Sequence, residues 1–213
     1  MTALLSRGRA EALGLLERVT DPSRQRYAIS LFMVGQPALS DRLAASLYYF
    51  LAAPRWSGYG DTRSHSAPLL DGLTSCRTAR RALDIGTGAG PSAALVADRD
   101  PATEVTAVDT SRRMLRQARS RYPRPNLSFK HATSIRLPFP AASFDLVTSL
   151  NAVPVLDELR RVCTDDAEVL TASTTYPVRD NLSAWVGRWH EAGFVRVRTG
   201  SVGSGSWEVF TPR

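Results

Sequence analysis

The sequence contains few of the residues that build cross-links or metal sites. Among its 213 residues are two cysteines, Cys76 and Cys163, and three histidines. The cysteines have no paired spacing and the histidines do not cluster, so the pattern indicates neither a disulfide framework nor a zinc site, and no metal is expected. Two unpaired thiols are typical of a protein that works in the reducing cytoplasm.

Long apolar runs are also absent. The sequence has no stretch of about 18 apolar residues, the length that a membrane-spanning helix needs. Residues 1–9 carry no apolar core followed by a cleavage site. We therefore expect neither membrane insertion nor export, and we predict a cytoplasmic protein without a membrane partner.

Lysine is almost absent. Lys130 is the only one, so arginine supplies the other positive charges that give the chain its net charge of +7. The basic residues crowd one segment, namely Arg112, Arg113, Arg116, Arg119, Arg121, Arg124 and Lys130. A basic stripe can bind phosphates, but no regular interleaving of aromatic residues for base stacking accompanies this one. We interpret it as a solvated helix face, which argues against a nucleic-acid partner.

The length and composition fit one α/β domain preceded by a small N-terminal part. Residues 11–19, 26–34 and 40–51 have the pattern of helices. Residues 52–66 form a glycine-punctuated stretch with aromatic residues and no apolar periodicity, which predicts a loop. Such a loop can serve as a lid or substrate wall, or its aromatic residues can anchor it to the domain.

A glycine-rich turn at residues 81–91 dominates the rest of the chain. Leu83 and Ile85 suit a buried strand, and the glycines at 86, 88 and 90 let backbone approach a ligand closely. Pro91 follows the last glycine, where the first turn of a helix tolerates proline. The pattern predicts a nucleotide-type pocket at the carboxyl end of a strand.

The spacing of this turn discriminates between nucleotides. In a dinucleotide fingerprint the third glycine would fall on Pro91, and the Asp84 carboxylate would repel a pyrophosphate. A ligand with an ammonium and a sulfonium, S-adenosylmethionine, suits that carboxylate better. Asp109 ends the apolar run 105–108, where a carboxylate can accept hydrogen bonds from both ribose hydroxyls.

The remaining pattern alternates strands and helices, as in an α/β sheet. Strands are predicted at 104–109, 127–132, 144–150, 168–173, 195–199 and 207–210. Helices are predicted at 91–97, 111–121, 155–163 and 182–192, and a short helix or ordered connection at 68–79. The segment 164–167 is predicted to turn through its aspartates, and 200–206 is predicted to be the loop of a final hairpin.

At three motifs the chain resembles the class I S-adenosylmethionine-dependent methyltransferases. Residues 83–90 are similar to their glycine motif, 108–115 to their second-strand acidic motif, and 137–147 to the small-molecule branch related to quinone-biosynthesis enzymes, type 11. The resemblance implies a Rossmann-like α/β fold. Its seven-stranded, mostly parallel sheet would have helices on both faces and an antiparallel last strand between strands five and six. It implies a domain at 80–213, preceded at 1–79 by a helical extension and substrate-covering loop.

The resemblance also implies a set of cofactor-binding residues at the carboxyl ends of the strands. The predicted set is Asp84, Gly86, Thr87, Gly88, Gly90, Asp109, Thr110, Met114, Thr133, Ser134 and Asn151. Thr133 departs from the pattern, since relatives usually have an aspartate there for the adenine amino group. Thr133, Ser134 and nearby backbone could replace that contact, or His131 could do so if its strand carries a bulge.

No catalytic triad is visible, and methyl transfer from a sulfonium needs mainly positioning and desolvation. His65 and Tyr59 are the candidate catalytic residues. The candidate acceptor wall is Tyr27, Trp56, Tyr59, His65, Asn151 and Tyr176. Because the connections at 151–154 and 174–181 are short, cover is expected mainly from the first eighty residues. This implies a small acceptor, an open site or a contribution from the partner in a homodimer.

The sequence thus predicts a methyltransferase that acts on a small molecule in secondary or cofactor metabolism. Two alternatives stay open. An enzyme of this fold can cyclise the aminobutyrate chain of S-adenosylmethionine to azetidine-2-carboxylate and release methylthioadenosine, or the chain can be a non-catalytic S-adenosylmethionine-binding scaffold. Nucleic-acid methylation is disfavoured, because residues 151–154 lack the Asn-Pro-Pro-aromatic sequence that base amino methylation uses.

Overall fold

The structure is a computed structural model that describes residues 63–152, 154–174 and 182–213. The helices predicted within residues 1–52 lie outside these residues. So do four of the candidate acceptor or catalytic residues, Tyr27, Trp56, Tyr59 and Tyr176.

The described residues form five helices and seven strands. The helices are α1 (Arg63–Ser75), α2 (Pro91–Arg99), α3 (Arg112–Arg121), α4 (Leu156–Val162) and α5 (Leu182–Glu191). The strands are β1 (Arg81–Ile85), β2 (Glu104–Asp109), β3 (Leu127–His131), β4 (Phe144–Leu150), β5 (Cys163–Ser173), β6 (Phe194–Val202) and β7 (Gly205–Pro212). Among them, no helix is long and apolar enough to cross a membrane.

The strands form one sheet in the order β3-β2-β1-β4-β5-β7-β6. The first five of these are parallel, whereas β7 runs antiparallel between β5 and β6. The predicted fold class is therefore confirmed. The strand order reverses between β1 and β4, and the carboxyl ends beside such a switch point are where α/β sheets bind ligands.

Helix α1 begins at Arg63, five residues before the predicted start. The prediction that residues up to 66 are loop is wrong for 63–66, and His65 lies on a helix. Pro68, the predicted start of the segment, lies inside α1, where the chain does without one backbone N–H. Leu69, Leu73 and Cys76 are buried in the same core as the sheet, so α1 packs with the domain that follows it.

The final hairpin is longer than predicted. Strands β6 and β7 run through most of the predicted loop, and only residues 203–204 form the turn. The glycines that suggested a loop serve close packing instead. A Cβ at Gly200 would overlap the Trp207 indole, and one at Gly205 would overlap Pro68 of α1. Glycine marks a close approach inside a strand here, not a break in it.

Strand β5 also starts earlier than predicted, directly after α4. Phe144 pairs with Cys163 and Leu146 pairs with Glu168, so residues 164–167 bulge out of the ladder within β5. The predicted turn is this bulge, in which the Thr164 hydroxyl donates to the Asp166 carboxylate at 2.7 Å. The prediction that Cys163 belongs to the helix is wrong.

Candidate functional site

The glycine turn lies at the carboxyl end of β1, and its three glycines have different roles. All have positive φ, at 73° for Gly86, 55° for Gly88 and 95° for Gly90, which favours glycine. A Cβ on Gly86 would lie 2.5 Å from that of Ala152, and one on Gly90 would lie 2.9 Å from that of Ala118. A Cβ on Gly88 would meet nothing within 4 Å, so this position leaves open space for a ligand.

The backbone N–H groups of this turn are mostly engaged by the protein itself. Those of Gly86 and Thr87 donate to the Val108 carbonyl at 2.9 and 3.1 Å, and that of Gly90 donates to the Thr87 carbonyl at 2.9 Å. The Gly88 N–H donates to the Asp109 carboxylate at 2.9 Å. A turn whose N–H groups are already bonded is poorly suited to cradle a pyrophosphate, which needs them free.

Asp84 lies beneath the turn and is fully buried. One carboxylate oxygen accepts from the Ser92 hydroxyl at 2.6 Å and the other from the Thr148 hydroxyl at 2.7 Å. Burial raises the pKa of Asp84, and these hydrogen bonds oppose the rise. The carboxylate joins β1, α2 and β4, so its closed position suits holding the turn and not touching a ligand.

Asp109 lies at the end of β2, beside the turn, and is only partly buried. One oxygen accepts from the Gly88 N–H at 2.9 Å and the other from the Ser111 N–H at 2.7 Å. Thr110 is a further backbone donor to this carboxylate. A carboxylate has about four acceptor sites, so Asp109 retains hydrogen-bonding capacity for a ligand. Burial raises the pKa of Asp109, while hydrogen bonds from Ser111 and Gly88 and the nearby His131 oppose the rise.

The start of α3 follows Asp109 directly. Ser111 caps this helix, because its hydroxyl accepts from the Met114 N–H at 3.3 Å. Of the two predicted cofactor residues here, Thr110 is exposed and Met114 is buried in the protein. The structure places both near Asp109 but leaves only Thr110 accessible.

Thr133 and Ser134 lie in a turn just after β3. Thr133 forms an isolated bridge with Arg136, and its hydroxyl accepts from the Ile135 N–H at 3.3 Å. The turn is close to Asp109, since the Ala132 N–H donates to the Asp109 carbonyl at 3.2 Å. His131 pairs with Asp109 across the strands, and its Nε2 lies 3.0 Å from the Thr110 carbonyl oxygen. The described β3 ladder has no bulge at His131.

Asn151 follows β4 with a positive φ of 56°, a conformation that asparagine tolerates. Its side-chain oxygen accepts from the Thr174 N–H at 2.9 Å and from the Thr174 hydroxyl at 3.3 Å. The Asn151 side chain therefore ties the carboxyl end of β4 to that of β5.

Several residues of this region were not predicted from the sequence. Ser92 and Thr148 bind Asp84, and an ion pair between Glu158 and Arg161 holds the segment 137–139. Glu158 accepts from the Leu137 N–H at 2.6 Å, and Arg161 donates to the Phe139 carbonyl at 2.7 Å. Glu158 and Arg161 could have been noticed as an i,i+3 pair, but nothing in the sequence indicates that they bind the backbone of a segment before β4.

His65 lies near the carboxyl edge of the sheet, as the direction of α1 shows. The Arg77 N–H, beyond the end of α1, donates to Glu168 at 2.7 Å, while Gly72 packs on Leu170 and Pro68 packs on Gly205 beside the Ser173 carbonyl. Thus α1 runs antiparallel to β5, and its first turn is at the end of β5 that faces Asn151 and Thr174. Burial lowers the pKa of His65.

The described residues fit S-adenosylmethionine on chemical grounds. The open position at Gly88 lies beside a carboxylate with free lone pairs at Asp109, and the turn offers few free N–H groups to a phosphate. Within the described ranges, no group of His, Cys, Asp or Glu could hold a metal ion.

Comparisons with known proteins indicate a methyltransferase. The family described as a methyltransferase domain matches residues 82–172. An uncharacterized methyltransferase of Mycobacterium bovis is 30% identical over 150 residues, which cover 70% of this chain and 75% of that protein. A demethylmenaquinone methyltransferase of Deinococcus radiodurans is 41% identical over 71 residues, covering 32% of this chain and 30% of that one.

Among solved structures, a SAM-dependent methyltransferase from Aquifex aeolicus superposes with a TM-score of 0.61 at 17% identity. The alignment covers 75% of this chain and 97% of the other, and at this identity it supports the fold alone. The relatives, the family match and the sheet order agree. The chain belongs to the class I S-adenosylmethionine-dependent methyltransferases, and its cofactor is S-adenosylmethionine.

Proposed function

We propose that this methyltransferase modifies a small-molecule acceptor in cofactor or secondary metabolism. The observation that carries the proposal is that the Asn151 side chain is already hydrogen-bonded to Thr174. Its side-chain oxygen is bound twice by Thr174, so it is not free to accept from the amino group of a nucleobase. Likeness to a demethylmenaquinone methyltransferase over 71 residues supports a small acceptor.

In this proposal the residues of β1 and β2 hold the cofactor. S-adenosylmethionine supplies an electrophilic methyl group on a sulfonium. Asp109 would accept from the ribose hydroxyls with its remaining acceptor capacity, and Gly88 would let the backbone lie against the ligand. Asp84 has an indirect role, because its hydrogen bonds with Ser92 and Thr148 hold the glycine turn in place. Thr110, Thr133 and Ser134 lie beside Asp109, where they can border the adenine.

The acceptor would lie over the carboxyl ends of β4 and β5. The bond between Asn151 and Thr174 fixes one wall there, and in-line attack on a methyl carbon depends on such fixed positioning. Tyr27, Trp56, Tyr59 and Tyr176 remain candidates for the rest of the wall, and a second protomer could supply cover. Since the connections 151–154 and 174–181 are short, we expect an acceptor no larger than a single ring system with its substituents.

His65 is our candidate for the group that removes a proton from the acceptor. Its lowered pKa leaves the imidazole neutral at pH 7, in the form that can accept a proton. We expect His65→Ala to lower kcat by about 100-fold. The wild-type pH profile of kcat should show an inflection below 6.5, the ordinary pKa of histidine, and this inflection should vanish in the variant. An unchanged profile would remove His65 from the chemistry.

The function is tested by analysing what the full chain makes from S-adenosylmethionine. Calorimetry first establishes cofactor binding, and small quinols, catechols and carboxylic acids are then supplied as acceptors. Formation of S-adenosylhomocysteine with a methylated acceptor supports the proposal. Release of methylthioadenosine without an acceptor would replace it with the cyclase, and micromolar binding without turnover of any acceptor would favour the scaffold.

A further inference from the structure

One edge of the cofactor site carries a cluster of exposed cations around an exposed apolar residue. We call Arg112, Arg113, Arg116, Lys130 and Arg136 the basic rim. All five are exposed, and they lie in α3, at the end of β3 and in the turn that follows it. Ile135, at the tip of that turn, is 65% exposed, the highest value among the large apolar side chains of the described residues.

The rim arginines of α3 do not stabilise their own helix. Arg112 and Arg113 occupy its first turn, which contains no acidic residue. Cations are unfavourable at the positive end of the helix dipole, and Arg112 and Arg116 form a like-charge pair at i,i+4. These positions therefore carry an electrostatic cost that helix formation does not explain.

Other arginines of the described chain bind carboxylates. Arg124 pairs with Asp98 at 2.6 Å, Arg161 with Glu158 at 2.7 Å and Arg196 with Glu208 at 2.6 Å. By contrast, no described residue forms an ion pair or hydrogen bond with the guanidinium of Arg112, Arg113 or Arg116. Among the described residues, nothing neutralises these three charges.

The rim is contiguous with the mouth of the site. Ser111, next to Arg112, donates its N–H to Asp109 at 2.7 Å, and Ala132, three residues before Ile135, donates its N–H to the Asp109 carbonyl. Lys130 lies over the Phe139 ring at 5.2 Å on the same edge of the sheet. Whatever binds the rim therefore lies beside the cofactor pocket.

We propose that the basic rim and Ile135 dock the enzyme on an anionic lipid bilayer. Each cation near such a surface is attracted by its negative potential, and a single apolar side chain on a turn can enter the interface without a matching cavity. The sequence analysis expected no membrane partner because it looked for a long apolar segment. Such a search does not detect a single apolar residue that a turn exposes, as Ile135 is exposed here. Docking would present the site to acceptors dissolved in the membrane.

The aromatic residues near the rim argue for lipid over nucleic acid. The guanidinium of Arg124 covers the Tyr122 ring at 5.4 Å, and Phe129 is buried at 8% exposure. Neither ring is free to stack on a base, which single-stranded binding requires. An apolar tip also contributes nothing to a duplex backbone, whereas it adds affinity for a bilayer.

The test is sedimentation of the full chain with vesicles of phosphatidylcholine containing phosphatidylglycerol, at low and high salt. We expect binding to these vesicles, none to pure phosphatidylcholine, and release by salt. The double variant Arg112→Gln/Arg113→Gln should lower the partition coefficient by about tenfold or more. Ile135→Ser should lower it by about fivefold. Because no turnover is measured, failure here leaves the proposed methyl transfer untouched.

Matched variants separate docking from net charge. Arg80 and Arg81 are exposed and lie at the amino end of β1, on the opposite edge of the sheet. We expect Arg80→Gln/Arg81→Gln to bind as the wild type does, and likewise Val197→Ser on β6. An equal loss in either control would overturn the proposal. Absence of vesicle binding at low salt would also overturn it. So would binding to a 25-bp DNA duplex or to poly-glutamate that is tighter than binding to vesicles and that is the same in wild type and Ile135→Ser.

Discussion

Two aspartates at the carboxyl ends of neighbouring strands have opposite surroundings. Asp84, on β1, is closed off and accepts from two side-chain hydroxyls that come from α2 and β4. Asp109, on β2, stays partly accessible and accepts from two backbone N–H groups, one of them in the glycine turn. Burial raises the pKa of both carboxyls, so the direction of the pKa change does not separate their roles.

The two aspartates differ in whether their carboxylate oxygens can still accept a hydrogen bond from a ligand, and in whether those oxygens are accessible. Asp84 uses its oxygens to connect elements of the fold, and no solvent reaches it. Asp109 accepts from backbone N–H groups around the turn and retains acceptor capacity for a ligand. The sequence assigned both to the cofactor, and we propose that Asp84 organises the site while Asp109 contacts the ligand.

The largest effect is expected from Asp84→Ala. Its removal leaves the buried hydroxyls of Ser92 and Thr148 without an acceptor, which should lower the free energy of unfolding by about 2–4 kcal/mol. Urea denaturation measures this, with Asp98→Ala, an exposed aspartate paired with Arg124, as the control. A loss no greater than that of the control would mean that Asp84 is not a structural carboxylate.

Asp109→Ala should act mainly on the ligand. We expect S-adenosylmethionine binding to weaken by about 1–3 kcal/mol, because the ribose hydroxyls lose their acceptor. Calorimetry measures the affinity, and thermal unfolding shows that the variant is folded. Asp98→Ala should bind normally. Unchanged affinity in Asp109→Ala would remove this residue from the site and with it the contrast between the two aspartates.

A smaller effect is expected in the pH dependence of stability. The pKa of Asp84 in the folded state is raised above its ordinary value of 3.8. The stabilisation that comes from protonating Asp84 in the folded state is therefore fully present below pH 3.8 and is lost as the pH rises through the folded pKa. The unfolding free energy of the wild type, relative to Asp84→Asn, should therefore fall as the pH rises from about 4 towards neutrality. The slope approaches about 1.4 kcal/mol per pH unit where the carboxyl is protonated only in the folded state. Urea denaturation across this pH range measures it, and a difference that is flat with pH would contradict the raised pKa.

The sequence predicted well wherever a pattern is local. The bounds of β2 and β4 agree with the prediction because each is a short apolar run between turn residues. The glycine turn was found because its spacing reflects backbone conformation, and the structure gives all three glycines positive φ. The order of the sheet followed from the resemblance, since no local pattern places β7 between β5 and β6.

Prediction from the sequence failed where contacts with residues distant in the chain determine the local structure. Gly200 and Gly205 suggested a loop, yet Trp207 and Pro68 pack against them within a continuous hairpin. Pro68 suggested a helix start, yet α1 continues through it. The closed state of Asp84 depends on Thr148, which lies 64 residues away. Such contacts are tertiary, and neither propensity nor periodicity reports them.

The position of β7 has a consequence for how the chain matures. β7 is made after β5 and β6, but it lies between them and pairs with both. While residues 205–212 are still inside the ribosome, β5 and β6 have no shared partner, and each presents an unpaired edge. That half of the sheet therefore cannot close during early synthesis, and a nascent chain stalled before Gly205 would be exposed to aggregation and proteolysis.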